Sequence, residues 1–252
     1  MLKIRVMPTM LFKEVGLVKG VSFDSWRRIG TAMQTVKVYN VREVDELVFL
    51  DITATDAGRE PDFETVDDLA DECFMPLTVG GGIRSLDHVR RLLTVGADKV
   101  SLNTAAVEVP GLISDSAQRF GSQCVVVSID AKKMPDGRYE VFTHSGKKPA
   151  GRTPQDWARQ AQALGAGEIL LTSIDRDGTM EGYDIDLVRA VSQAVQIPVI
   201  ASGGAGNYAH MASVLKEGGA SAVAAASLFH FTEQTPLEAK RFLKKQGFPV
   251  RC

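Results

Sequence analysis

Two aspartates stand where apolar runs of the sequence end. Asp51 closes ELVFLDI (46–52) and Asp130 closes CVVVSID (124–130). A carboxylate at the end of a buried strand can exchange protons with a bound substrate, although it can also only cap a turn. Lys19 lies in GLVKG (16–20), a segment that we expect to be flexible enough to fold over a ligand. Because all three would flank one site, we favour catalytic roles for Asp130 and Lys19.

Two glycine clusters predict a second kind of chemistry, the binding of phosphate. VGGGIR (79–84) and ASGGAGN (201–207) would each let backbone N–H groups approach an anion closely. One predicted strand further on, each cluster has a small hydroxyl residue, Thr104 or Ser227. The first phosphate site comprises Gly82, Asn103 and Thr104, and the second phosphate site comprises Asp177, Gly178, Gly204, Ala226 and Ser227. Two related sites imply a ligand with a phosphate at each end, although DRDGT (175–179) alone is equally well explained as a simple turn.

Four charged residues stand at the opposite ends of the predicted strands. They are Arg5, Glu46, Lys99 and Glu168, referred to below as the charged ring. Two positive and two negative side chains at strand starts can point into the bottom of a barrel and neutralise each other. Such a ring is either a structural plug or a gate for a small polar molecule, and the pattern alone favours the plug.

The elements that must position these residues are short apolar runs alternating with amphipathic ones. The predicted strands are 4–10, 46–52, 76–80, 98–102, 124–130, 168–174, 197–202 and 221–227, and the clearest helical patterns are 62–73, 85–95, 153–164 and 235–246. Strands that are apolar throughout are typical of a parallel sheet buried on both faces. Eight strands in 252 residues give about 31 residues per unit, the size of a βα module. We therefore predict a single-domain (β/α)8 (TIM) barrel over residues 1–252, with a doubly wound sheet as the alternative.

The chain also repeats itself. Glu46 matches Glu168 and Gly81 matches Gly203, each pair 122 residues apart, within similar stretches of sequence. The repeat predicts two half-barrels, about 1–122 and 123–252. DAKK (130–133) aligns with LFKE (11–14), so the partner of Asp130 in the first half is Leu11, which cannot exchange a proton.

Composition excludes several classes of function. The net charge of −2 gives no overall positive field to attract nucleic acid. Cys73, Cys124 and Cys252 form no disulfide or zinc-site pattern, and we expect neither a metal nor another cofactor. The N-terminus is too short and polar for a signal peptide, and no apolar run reaches the roughly 18 residues of a membrane span. We expect a cytoplasmic protein that does not associate with membranes.

Several motifs resemble one enzyme family. DELVFLDITAT, PLTVGGGI, ADKVSLNTAA, FGSQCVVVSIDAK, GAGEILLTSIDRDGTMEGYD, IPVIASGGAG and SLFHF are similar to the cyclase subunit of imidazole glycerol phosphate synthase, and the likeness covers residues 1–251. The sister isomerase of histidine biosynthesis shares the repeat, but FGSQCVVVSIDAK and SLFHF are typical of the cyclase.

The resemblance implies a barrel that binds a bisphosphorylated aminoimidazole-carboxamide ribonucleotide. It implies a class I glutaminase bound 1:1 at the bottom face, where Asp98 and Gln123 match interface positions. Ammonia would pass the charged ring and reach the mouth, where the family uses two aspartates as general acid and base. The complete ligand-binding set that we expect is Asp51, Gly82, Asn103, Thr104, Thr172, Asp177, Gly178, Ser202, Gly204, Ala226 and Ser227.

The sequence departs from this family at the first strand. Asp130 fills one aspartate position, but the other holds Leu11, and Thr9 replaces a neighbouring family cysteine. A similar subgroup works beside a glutaminase and a separate sugar amidotransferase in bacterial surface-polysaccharide (lipopolysaccharide) pathways, where an acetamido group becomes an acetamidino group. We therefore favour ammonia delivery for that reaction. A true histidine-pathway cyclase and a non-catalytic scaffold that activates the glutaminase remain the alternatives.

Overall fold

The computed structural model describes residues 3–14 and 16–251, so Met1, Leu2, Val15 and Cys252 lie outside the described residues. The strands are β1 (Arg5–Lys13), β2 (Gly16–Val21), β3 (Asp24–Gly30), β4 (Leu47–Asp51), β5 (Leu77–Gly80), β6 (Lys99–Leu102), β7 (Val125–Lys133), β8 (Tyr139–Thr143), β9 (Lys148–Pro149), β10 (Glu168–Ser173), β11 (Val199–Ser202) and β12 (Ala222–Ala225). The helices are α1 (Ala32–Val41), α2 (Phe63–Glu72), α3 (Leu86–Thr94), α4 (Thr104–Glu108), α5 (Gly111–Phe120), α6 (Pro154–Ala163), α7 (Ile185–Ser192), α8 (Tyr208–Glu217), α9 (Ser227–Phe231) and α10 (Pro236–Lys245).

Eight of these strands close into a parallel barrel. Their order is β1, β4, β5, β6, β7, β10, β11 and β12, and β12 pairs again with β1. A doubly wound sheet would leave two open edges, so that alternative is wrong. The predicted (β/α)8 barrel is confirmed, and each of the eight predicted strands corresponds to one strand of the barrel.

The main difference from the prediction lies just after the first barrel strand. The segment 16–20 was expected to be flexible, but it lies in β2, which pairs antiparallel with both β1 and β3. We call the β2–β3 hairpin the lid. It forms because β1 continues to Lys13, beyond the predicted end at residue 10, and offers β2 a free edge, while Leu17 is fully buried in the core.

Barrel strand β7 is extended in the same way. It runs to Lys133 and pairs antiparallel with β8, as β1 pairs with β2. Leu11 is in register with Leu50 of the neighbouring strand, and Asp130 is in register with Thr172. The repeat seen in the sequence thus places Leu11 and Asp130 at matching heights on opposite sides of the barrel.

The helices pack around the barrel and begin at polar caps. The side chains of Asp62, Ser85, Thr153, Asp184, Asn207 and Thr235 each accept a hydrogen bond from the first turn of the helix that follows. The large core lies between helices and strands, and a smaller apolar cluster fills the barrel interior: Met7, Val48, Leu50, Val126, Leu170, Ile200, Ala222 and Ala224. Among the described residues, no helix is long and apolar enough to cross a membrane.

Candidate functional site

A cavity opens at the carboxyl ends of the barrel strands. Every residue that the sequence predicted to be catalytic or ligand-binding lines it, including Lys19, Asp130 and both phosphate sites, and Leu11 lines it too. The strand ends bring these residues together because parallel strands all end on the same face. The prediction that they share one site is therefore consistent with the geometry.

Asp130 is the best-placed acid–base group in this cavity. Its side chain is partly exposed, and Oδ2 accepts a hydrogen bond of 2.7 Å from the Asn103 side chain. Desolvation raises the pKa of Asp130 to about 7, with a smaller upward effect from the charge of Asp177, while the Asn103 hydrogen bond lowers it. A carboxyl group with this pKa can both donate and accept a proton near neutrality.

Leu11 faces the same cavity from β1 and is 8% exposed. It is in register with Val18 of the lid on one side and with Leu50 on the other. The wall opposite Asp130 is therefore apolar at this height. Of the two repeat-related positions, 11 and 130, only position 130 carries a carboxyl group.

Lys19 is not the solvated loop lysine that its sequence context allows. It is 2% exposed, and its Nζ atom lies 2.7 and 2.8 Å from the two carboxylate oxygens of Asp177. The backbone N–H of Ser22 also donates to the carbonyl oxygen of Asp177 at 2.8 Å. Lys19 therefore joins the lid to the loop after β10 and covers the mouth of the barrel.

The first phosphate site is built around Gly82. Its backbone has φ of 70°, and a Cβ atom there would lie 2.9 Å from the carbonyl oxygen of Arg59, so only glycine fits. The N–H of Gly82 donates to no other described residue. The Thr104 hydroxyl accepts a hydrogen bond of 3.0 Å from the backbone of His144, and its proton can still be donated to a ligand.

The second phosphate site repeats this arrangement around Gly204. Its φ is 104°, and a Cβ atom would lie 2.2 Å from the carbonyl oxygen of Gly182. Its N–H is likewise unpaired within the described part of the chain. The hydroxyl of Ser227 is buried and has no partner there, so it is available to a ligand. Asp177, assigned to this site from the sequence, is already neutralised by Lys19.

Asp51 has a clear structural role in addition to its place in the cavity wall. Its Oδ1 atom accepts hydrogen bonds of 2.9 Å from the backbone N–H groups of Thr53 and Ala54, and Oδ2 lies 3.1 Å from the guanidinium of Arg59. The carboxylate therefore holds the turn after β4. The capping role that any strand-end aspartate can have is the one observed for Asp51.

Sequence reasoning missed several cavity residues. Phe23 and Trp26 come from the lid, and Ser145 comes from the turn after β8, where its hydroxyl donates to the carbonyl oxygen of Ile52. Thr9 was noted only as a replacement for a family cysteine, yet its buried hydroxyl lines the cavity without a partner in the described chain. The sequence could have indicated this position, because side chains alternate along a strand and Thr9 must therefore face the same side of β1 as Leu11.

The charged ring is closed at the opposite end of the barrel. Glu46 lies 2.7 Å from Arg5 and 2.9 Å from Lys99, and Glu168 lies 3.0 Å from Arg5 and 3.3 Å from Lys99. Thr78 adds a hydrogen bond of 3.0 Å to Glu46. Burial lowers the pKa of Arg5, but the charges and hydrogen bonds of Glu168 and Glu46 outweigh it and leave that pKa above its ordinary value. The four charged side chains thus contact one another in one cluster, and their role as a gate stays a prediction.

Asp98 and Gln123 are both exposed near the amino ends of the barrel strands. Asp98 accepts a hydrogen bond of 2.8 Å from the backbone N–H of Leu77, so one carboxylate oxygen fixes the start of β5. Gln123 donates to the carbonyl oxygen of Phe120 at 3.3 Å. Both side chains are accessible from the face that carries the charged ring.

These features define an α/β-barrel protein whose candidate ligand site lies at the carboxyl ends of its strands. The model of a family described as "Histidine biosynthesis protein" matches residues 5–235. The chain therefore belongs to the histidine biosynthesis protein family, and it is a barrel related to the cyclase that its motifs resemble.

Proposed function

We propose that this chain is the barrel subunit of a glutamine amidotransferase complex. It receives ammonia at the charged ring and delivers it to a mouth that binds a phosphorylated ligand. One observation carries the proposal: a complete four-residue ring lies at one end of the barrel axis, while at the other end Asp130 and Leu11 occupy matching positions on opposite sides of the mouth. A ring of this kind supports a role in ammonia passage, and Leu11 leaves one of the two acid–base positions without a titratable group.

The barrel interior supports the passage of neutral ammonia rather than ammonium. Above the charged ring, the lining is apolar around Met7, Val48 and Leu170. Moving an unpaired cation from water into such surroundings costs several kcal/mol of solvation free energy, whereas moving neutral ammonia costs far less. For ammonia to enter, the ring must open, and its ion pairs keep some exposure because Arg5 and Lys99 are 20% and 16% exposed at their side chains.

The mouth offers a single acid–base group. Asp130, with a pKa of about 7, can accept a proton from the nitrogen of attacking ammonia and then donate it to the group that ammonia displaces. Leu11 supplies no second group on the opposite wall. Ring closure to an imidazole uses an acid and a base together in the family that this chain resembles, so ammonia transfer fits the site better.

The acceptor that we propose is an acetamido sugar of a surface polysaccharide, converted to its acetamidino form by a separate amidotransferase. The support comes from the resemblance to the subgroup with the same departure at position 11. The partner that supplies ammonia is a class I glutaminase, bound 1:1 on the face that carries Asp98 and Gln123.

Co-purification with the glutaminase encoded beside this gene tests the proposal. We expect a 1:1 complex at micromolar concentrations and a glutaminase that is weak without the barrel. Lys99→Ala should leave the complex intact but uncouple glutamine hydrolysis from ammonia use. Lys37→Ala, which removes an exposed ion pair with Glu72, is the matched control.

Three outcomes would contradict the proposal. The first is the absence of a complex, and the second is full glutaminase activity without the barrel. The third is turnover of the histidine-pathway ribonucleotide at an ordinary cyclase rate, which would restore the cyclase alternative. If the mouth binds a phosphorylated ligand and the glutaminase is activated, but no ammonia transfer follows, the scaffold alternative is correct.

A further inference from the structure

Thr9 is a buried hydroxyl residue that none of the proposed chemistry uses. It is 7% exposed, its Oγ1 atom has no partner among the described residues, and it lines the mouth cavity from β1. A buried hydroxyl without a hydrogen bond costs free energy. Such a group calls for an explanation, and contact with a ligand or an ordered water is one.

The fully buried hydroxyls of the cavity that lack a partner in the described chain lie on one side of it. Of the buried side-chain atoms that lack a partner in the described chain, those of Thr9 and Ser227 are the ones that line the cavity. On the opposite wall the hydroxyl oxygens of Ser101 and Ser128 lie 2.6 Å apart and satisfy each other, and Asp130 is bonded to Asn103. Hydrogen-bonding capacity is therefore left open on the wall formed by β12, α9 and β1.

Thr9 and Ser227 belong to the same part of this wall. β12 leads directly into α9, which begins at Ser227, and β12 pairs with β1. One turn further along α9, the Nε2 atom of His230 lies 3.4 Å from the carbonyl oxygen of Thr9. Both hydroxyls therefore lie on adjoining elements of one cavity wall.

We infer that Thr9 recognises a hydroxyl group on the carbon chain of the ligand whose phosphate is held by Ser227. This inference rests on the proposed phosphate binding at the second phosphate site. The Thr9 side chain lies between two apolar inward-facing neighbours, Met7 and Leu11, so charge at this depth is disfavoured. A ligand hydroxyl is neutral and can both donate to and accept from Oγ1 of Thr9, so it can supply the hydrogen bond that this atom lacks.

Two phosphate esters of equal carbon length test the inference. Glycerol 3-phosphate carries hydroxyls on its three-carbon chain, and n-propyl phosphate carries none. By NMR titration we expect the wild-type protein to bind glycerol 3-phosphate about fivefold more tightly, the value of one net hydrogen bond. Thr9→Val should abolish this preference and raise the melting temperature of the free protein, because the unsatisfied hydroxyl is gone. Thr9→Ser should keep the preference.

Two further variants complete the test. Ser173→Ala removes a buried, unpartnered hydroxyl that does not line the cavity, so it should leave the preference unchanged. Ser227→Ala should weaken both esters by the same factor. Equal binding of both esters to the wild type, or an unchanged preference in Thr9→Val, overturns the inference and leaves phosphate binding intact. If neither ester binds, phosphate binding at the second phosphate site is wrong, and the inference is wrong with it.

Discussion

The ammonium group of Lys19 contacts both carboxylate oxygens of Asp177, at 2.7 and 2.8 Å, across 158 residues of sequence. Lys19 is on the lid and Asp177 is in the loop after β10, so this ion pair ties one half of the barrel to the other above the cavity. Arg27 adds a second attachment, because its guanidinium lies 3.8 Å from the ring centre of Phe231. The side chains of Lys19 and Asp177 are only 2% and 12% exposed, so the pair is shielded from solvent.

Removing Lys19 should open the lid. In Lys19→Met the Asp177 carboxylate loses its partner while it is still buried, and breaking a buried pair typically costs about 3–5 kcal/mol. The lid can recover part of that cost by swinging away and letting Asp177 hydrate. We expect trypsin to cleave the exposed Arg27 or Arg28 of the lid at least about tenfold faster, a change of about 1.4 kcal/mol in opening free energy.

The control for this experiment is Lys37→Met, which breaks an exposed pair with Glu72 of 3.3 Å. Exposed pairs contribute little, so its cleavage rate should match the wild type. Equal protection of the lid in Lys19→Met and in the wild type would show that the ion pair does not hold the lid.

Asp130 should make the protein less stable as the pH rises. Its pKa is about 7 when folded and near the ordinary value for aspartate when unfolded, so between these values the folded state holds a proton that the unfolded state releases. Stability is fully present below the unfolded pKa and is lost as the pH rises through about 7. Asp130→Asn cannot ionise, and its amide oxygen can still accept from Asn103.

We therefore expect Asp130→Asn to melt at a higher temperature than the wild type at pH 8, with the difference disappearing below about pH 4. Melting curves over this range check the prediction. A difference that is constant across the range would mean that Asp130 has an ordinary pKa in the folded protein.

The barrel strands and the charged ring were predictable because both depend on local patterns. Apolar runs fix the strands, and a charged residue at the start of a strand must point into or away from the barrel. The repeat likewise predicted that Leu11 and Asp130 occupy matching positions. These features need only the sequence of each strand and the rule that parallel strands end together.

The lid was not predictable in this way. DSWRRIG (24–30) has no apolar alternation, and β3 is mostly exposed, so nothing in it indicates a strand. Its conformation depends on pairing with β2, and β2 in turn pairs with the extension of β1 and carries Lys19, which contacts a carboxylate 158 residues away. The turn-capping role of Asp51 was also hidden, because a strand-end aspartate has the same sequence context whether it binds a ligand or its own backbone.

Replacing Leu11 by aspartate should partly restore paired acid–base chemistry. The new carboxyl group would stand opposite Asp130, and a second negative charge in the cavity would raise the pKa of Asp130 further above 7. With ammonium and the histidine-pathway ribonucleotide, we expect turnover to rise by about 10²-fold or more. Leu11→Asn is the matched control. Burying its polar side chain should cost a similar free energy, about 1–3 kcal/mol, but it adds no titratable group. A rise in both variants would trace the effect to shape or polarity rather than to proton transfer.

The charged ring should behave as one coupled unit. Lys99→Met removes the 2.9 Å contact to Glu46 and the 3.3 Å contact to Glu168, so Arg5 alone must compensate two carboxylates. We expect the free energy of unfolding to fall by roughly 1–3 kcal/mol. This value lies between the typical cost of breaking an exposed ion pair and that of breaking a buried one, because the ring is partly exposed. Adding Glu168→Gln removes the excess negative charge and should recover part of that loss. Urea unfolding of the two single variants and the double variant measures this coupling. Additive effects would show that the four residues are independent surface charges, and a ring of that kind could not work as a gate.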